Sequence, residues 1–162
     1  MINKNKFFFE AVDLVNYSKL NCNDKIQFFK EFNVQGNIAV PPNDGSTEIL
    51  HDCTATLIIN ESKVIDTIEG SSLEGQHLSS KKLLILGKVK FTVYFFIPYV
   101  CNYIFHKCKN VAFSEFIIIP SDTRDDSILK LRYIIEDVSS TLISKSRLFL
   151  NASIFIEYSD NS

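Results

Sequence analysis

Glycine and proline are scarce in this sequence, five and four residues among 162. Set against fourteen Phe, six Tyr and many Ile and Val, that scarcity favours strands, because branched and aromatic side chains fit a pleated surface. A run of like charge is also missing: 17 basic and 19 acidic residues are scattered to a net charge of -2. No basic stripe can therefore release counterions from a phosphate backbone, which argues against a nucleic-acid partner. The most apolar stretch, residues 92–105, falls short of the ~20 residues that cross a bilayer and contains Pro98 and Asn102, so no membrane span is expected. At the start, Glu10 and Asp13 interrupt the apolar residues after Lys6 and no small-residue cleavage site follows, so no signal peptide is read.

Apolar residues make up 46% of the chain and charged residues 22%, which is the balance of a globular protein that buries one core. The strongest periodicity is in residues 83–97, where Leu83, Ile85, Gly87, Val89, Phe91, Val93 and Phe95 alternate with a second set. Period two predicts a strand, with Gly87 marking a bend or bulge. A second strand is predicted over residues 148–158, with Leu148, Leu150, Ala152, Ile154 and Ile156 on one face and Asn151, Ser153 and Glu157 on a wet one. Shorter strands are predicted at 32–40, 54–59, 63–68, 113–119, 129–135 and 141–144, each bounded by turn-forming residues.

Seven or eight strands imply a mainly β protein, a sandwich or barrel, and a two-layer antiparallel β-sandwich is the reading preferred. The turns at Pro41-Pro42 and Pro120-Ser121 are each followed by a strand, a hairpin and an alternating strand. This pattern points to an internal duplication, with residues 69–80 as a loop inserted in the first unit. Residues 1–27 read as an N-terminal extension, arm or short helix, ahead of a domain at 28–160.

His51, His77 and His106 are scattered, and no G-x-S-x-G turn, P-loop or dinucleotide fingerprint is present, so neither an enzyme nor a cofactor is expected. Two His-x-Cys pairs, His51/Cys53 and His106/Cys108, would supply tetrahedral zinc only if both strands met in space; isolated polar residues are the preferred reading, and no metal is expected. Without a signal peptide, Cys22, Cys53, Cys101 and Cys108 are expected to be free thiols in a reducing cytoplasm, able to cross-link an assembled layer once conditions become oxidising. Cys101 and Cys108 are expected to be more exposed than Cys53. Glu136-Asp137 and Asp125-Asp126 read as solvated turn charges, since neighbours on a strand face opposite ways. Residues 71–78 read as a recognition loop or a compact connection.

The run Lys63-Val64-Ile65-Asp66-Thr67-Ile68-Glu69-Gly70-Ser71-Ser72-Leu73-Glu74-Gly75-Gln76-His77-Leu78, followed by Lys82-Leu83-Leu84-Ile85-Leu86-Gly87, closely resembles the central motif of SPOCS domains, found in spore coat and coat-assembly proteins of endospore-forming bacteria. Phe29-Lys30-Glu31-Phe32, Phe113-Ser114-Glu115-Phe116 and Ile135-Glu136-Asp137 add to it by order and spacing. The sequence after Pro42 departs from the family's Lys-Pro-Asp-Ile-Glu pattern. The resemblance implies a single-module, non-enzymatic protein made in the mother-cell cytoplasm and built into the spore coat or exosporium.

Two functions are expected from this reading. The first is a structural protein that self-assembles into a homo-oligomer or polymer, or docks on other spore coat proteins, through strand edges and aromatic surface. Its assembly arm would include Phe7, Phe8, Phe9, Val12 and Val15. The alternative is a lectin-like or peptide-binding module that recognises a spore-envelope component through Ser72, Leu73, Glu74, Gly75 and Gln76.

Overall fold

The computed structural model describes residues 8–11, 28–42, 49–71, 77–97, 103–123 and 130–159. The described residues are all strand and connection. The strands are β1 (Phe8–Ala11), β2 (Phe28–Ala39), β3 (Leu50–Ser71), β4 (His77–Ile97), β5 (Tyr103–Ile119), β6 (Lys130–Ser144) and β7 (Arg147–Ser159). They form two sheets, in the orders β1-β6-β7-β2 and β3-β4-β5. Every pairing is antiparallel except β1 on β6, which is parallel. The N-terminal segment, read as arm or short helix, is a strand at residues 8–11. No helix among the described residues is long and apolar enough to cross a membrane.

The central strands β4 and β7 supply the alternating residues that the sequence marked. Leu83, Ile85, Val89, Phe91, Val93 and Phe95 on one sheet, and Leu148, Leu150, Ala152, Ile154 and Ile156 on the other, are buried in one core. Facing apolar surfaces of this kind are what hold a sandwich together. The sheets also meet at their borders. Between β2 and β5, Phe32 and Phe113 lie 5.2 Å apart and the Lys107 ammonium donates to the Ala39 carbonyl at 3.0 Å. Between β3 and β6, His51 Nε2 lies 3.4 Å from the Ser140 carbonyl.

The duplication is visible in the ladders. In the β3–β4 hairpin, a first irregularity lies between Ile59 and Glu61, opposite Gly87 and Leu86, and a second between Asp66 and Glu69. In the β6–β7 hairpin the first lies between Ile135 and Asp137, opposite Ile154 and Ser153, and the second between Leu142 and Ser144. Residues 61–66 and 137–142 span the same number of rungs between them. This register matches β3 to β6 and β4 to β7, so that Leu83 corresponds to Leu150 and Gly87 to Ile154. The first strands are exchanged: β2 completes the sheet of β6 and β7, and β5 completes that of β3 and β4. Phe113 faces Gly87 as Phe32 faces Ile154, and these two phenylalanines are the pair that touch.

Gly87 sits beside the first bulge. A Cβ there would lie 2.6 Å from the Ile58 carbonyl oxygen and 2.7 Å from the Phe113 ring, so the glycine is required by space.

Several expectations change. Strands predicted separately at 54–59 and 63–68 are one strand, as are those at 129–135 and 141–144. Strand β5 begins ten residues before the predicted 113. Glu136 and Asp137 are exposed at a bulge within β6, not in a turn. Glu157, placed on a wet face, is 2% exposed and paired with Arg132 on β6, where the guanidinium compensates the cost of burying a carboxylate.

Candidate interaction site

The first hairpin is longer than its counterpart. Strands β6 and β7 close through Lys145 and Ser146, directly after Ser144 pairs with Arg147. At the corresponding level β3 and β4 continue to the pair Ser71 and His77. The ladder of β4 with β5 stops at Lys81 and Ile119, so beyond that point residues 69–71 and 77–79 form a two-stranded projection. The predicted insertion at 69–80 is therefore a hairpin arm instead of a loop, and Ser71, His77 and Leu78 are strand residues. Ser72, Leu73, Glu74, Gly75 and Gln76, the expected interaction loop, lie outside the described residues.

The base of the arm is fixed from several sides. Ser80 has a φ of 68°, a left-handed conformation that costs a non-glycine residue about 1 kcal/mol, and it sits at the second irregularity of the ladder. The Lys81 ammonium donates to the carbonyl of buried Thr123, in the connection after β5. Next to it, the Lys82 ammonium lies 4.3 Å from the centre of the Phe116 ring, with that of Lys30 at 5.3 Å. Lys30 also pairs with Glu115 at 3.7 Å. Cation–ring contacts of this kind contribute about 0.5–1 kcal/mol when exposed.

On the outward face of the β3-β4-β5 sheet, Leu50, Phe96 and Ile104 stand in one row. Leu50 is 52% and Ile104 63% exposed. The next row holds Asp52, Tyr94 and His106, with the Tyr94 and His106 rings 6.0 Å apart. This is an apolar and aromatic surface in water, at the end of the sheet away from the arm.

The two His-x-Cys pairs are on opposite faces and on strands separated by β4. His51 reaches the opposite sheet at Ser140 and Cys53 packs against the core. His106 and Cys108 point outward, where Cys108 Sγ is 3.7 Å from the Thr92 hydroxyl. One ion cannot take all four as ligands. Burial, and after it the neighbouring Asp52 carboxylate, push the Cys53 thiol up from 9.0 to about 11, so it is a poor nucleophile. Cys53 and Cys108 are both free, and Cys108 is the more exposed; Cys22 and Cys101 lie outside the described residues.

Of the expected assembly arm, Phe8 and Phe9 belong to β1, with Phe8 opposite Lys130 and Phe9 opposite Leu131. Phe7, Val12 and Val15 lie outside the described residues. The edge of β3 away from β4, which has no ladder partner among the described residues, was not singled out from the sequence. Its signal is residues 53–60, Cys-Thr-Ala-Thr-Leu-Ile-Ile-Asn, a run without charge, glycine or proline.

The family model described as SipL, SPOCS domain matches residues 47–143. The chain belongs to the SPOCS domain family. It is thus a sporulation-related protein, and the signature read at residues 63–87 is the hairpin arm with its base. The matched SPOCS segment runs from just before β3 into β6 and leaves out β1, β2 and β7, three of the four strands of the other sheet. No curated protein and no solved structure matches the chain.

Proposed function

We propose that this chain is a non-enzymatic building block of the spore coat or exosporium, which associates with copies of itself and with other coat proteins. The observation that carries this reading is where the duplicated scaffold departs from its own symmetry. An extra strand borders one sheet, a two-stranded arm prolongs the other, and an apolar row lies on an outward face. All three are peripheral, and they offer backbone edges and exposed side chains to neighbours. Repeated contacts at sheet borders build layers, and an exposed thiol at Cys108 is placed for cross-linking once a layer has formed.

Size-exclusion chromatography with light scattering, with and without reductant, tests this. The expected result is a mass that grows with protein concentration, with a part of it held by disulfides in the absence of reductant. A chain that stays at its single-chain mass throughout would end the assembly reading.

A second reading is favoured by the arm itself, which extends beyond what its counterpart needs in order to close. As a ligand-binding module, the chain would use residues 71–78 to recognise a glycan or peptide of the spore envelope. Replacing Glu74 and Gln76 by alanine then abolishes binding to isolated envelope fragments and leaves self-association intact.

A further inference from the structure

The correspondence of β3 with β6 extends to their outer edges, and there the two halves differ. Residues 130–133 of β6 pair in parallel with Phe8–Ala11 of β1. By the register that matches the two bulges, the equivalent residues of β3 are Thr54, Ala55, Thr56 and Leu57. Their side away from β4 has no ladder partner among the described residues. The phase agrees as well: Leu131 and Tyr133 face the core on β6, and Ala55 and Leu57 face it on β3. The backbone N–H of Cys53 donates to its neighbour Asp52 Oδ1 at 2.9 Å, which marks it as turned away from β4. Alternation then turns the backbone groups of Ala55 and Leu57 the same way.

From these observations we infer that the Thr54–Leu57 edge of β3 is a second strand-acceptor site, and that its occupant is residues 8–11 of another copy of the chain. This rests on the self-assembly reading above and names its contact. The equivalent stretch of β6 has Lys130 and Arg132 in its sequence, and basic residues in an edge strand disfavour pairing with other chains. The β3 edge lies in an uncharged stretch from 53 to 60 that has no such protection and fits strand addition. A chain has one donor strand and two acceptors. Pairing in cis on β6 gives a closed monomer. Pairing in trans on a neighbour's β3 joins copies head to tail, and such a contact leaves each end open for another copy. Sixteen residues, 12–27, separate β1 from β2, and at ~3.3–3.6 Å per residue they span up to ~55 Å, enough to reach a neighbour. The tether favours cis pairing at low concentration, so trans pairing grows where copies are crowded.

The experiment uses the full chain and two blocked forms. Glu10→Pro removes from β1 the N–H that faces the carbonyl of Leu131 on the acceptor strand. Ala55→Pro removes one from the outward side of β3, and Thr54→Lys with Thr56→Lys, which copies the charge of the covered edge, is the second acceptor block should the proline variant fail to fold by circular dichroism. With light scattering, the expected result is that the unaltered chain assembles and each blocked form alone keeps the single-chain mass. An equimolar mixture of donor-blocked and acceptor-blocked forms then gives twice that mass, and it stays at single-chain mass when the donor-blocked form also carries Thr54→Lys and Thr56→Lys, which leaves only its bare β6 edge to accept a strand. Assembly of the Glu10→Pro form alone overturns the inference in favour of pairing between like edges, and a mixture of the two singly blocked forms that stays at single-chain mass overturns it as well. Normal assembly by both blocked forms rejects this edge while keeping the assembly reading. A monomeric unaltered chain rejects both.

Discussion

The β3–β4 and β6–β7 hairpins are two versions of one design. Both carry two irregularities with the same spacing, both place their second strand at the centre of a sheet, and both accept a third strand from the other half. One closes through Lys145 and Ser146 and has its outer edge covered; the other runs on into an arm, and its outer edge has no ladder partner among the described residues. What the two share is what the core requires, and what they do not share has been added to a scaffold that closes without it. The sharpest test of that equivalence is the pair Leu83 and Leu150, both fully buried. Each leucine-to-alanine change is expected to cost about 3–4 kcal/mol in urea unfolding, the range for a cavity in a close-packed core. Values that differ from each other by more than about 2 kcal/mol would break the comparison.

Gly87 and Ile154 occupy equivalent positions with different residues, and exchanging them probes where the symmetry stops. Gly87→Ile copies the second half into the first. At that point a side chain meets the Ile58 carbonyl, which is backbone and moves only with its strand, and the Phe113 ring. A loss of about 3 kcal/mol is expected by the same unfolding measurement. A neutral result would mean that the two bulges differ in shape more than their registers do.

Legibility in the sequence follows the same bulges. Residues 83–97 and 148–158 read as strands because one face of each is continuously buried, so the alternation never changes phase. In β3 the core-facing residues are Ala55, Leu57 and Ile59 before the bulge and Val64 after it. In β6 they are Leu131, Tyr133 and Ile135 before it and Val138 after it. One inserted residue, Asn60 or Glu136, moves the pattern from odd to even positions or the reverse, and a period-two reading then reports two short strands. The first half of β5 escaped notice for another reason. His106, Lys107, Cys108, Lys109 and Asn110 are polar on both faces, and at a border Lys107 can lie inward and still reach the Ala39 carbonyl. The insertion at 69–80 was legible by comparing the two halves. Its hairpin pairing was not, because the glycines at 70 and 75 and the serines between them read as a connection.

Removing the arm sharpens the comparison at lower cost to stability. Replacing residues 69–79 by Lys-Ser gives the first hairpin the closure of the second. The core lies below this level, and a two-stranded ribbon adds little on its own, so stability is expected to change by less than about 1 kcal/mol. Co-sedimentation with extracts of spore coat protein reads the function. Loss of capture with the fold intact would assign partner recognition to the arm; retained capture would assign it to the edges and the apolar row.

The smallest effect concerns the two thiols on opposite faces of the same sheet. Burial and the Asp52 carboxylate hold the Cys53 thiol at about 11, against an ordinary 9.0, so the folded chain resists ionisation that the unfolded chain permits. The sign follows from that difference. The contribution is complete below pH 9, where both states keep the proton, and is lost as pH rises from there through about 11, since the unfolded chain releases its proton first. Unfolding midpoints measured from pH 8 to pH 11 should fall more steeply for the unaltered chain than for Cys53→Ala. At pH 8 a thiol reagent should modify exposed Cys108 well before Cys53, since thiolate is the reacting form and access to Cys53 is restricted. Equal rates at the two sites, read by mass spectrometry of the labelled peptides, would mean that the inward face of this sheet opens to solvent more readily than its partner strands allow.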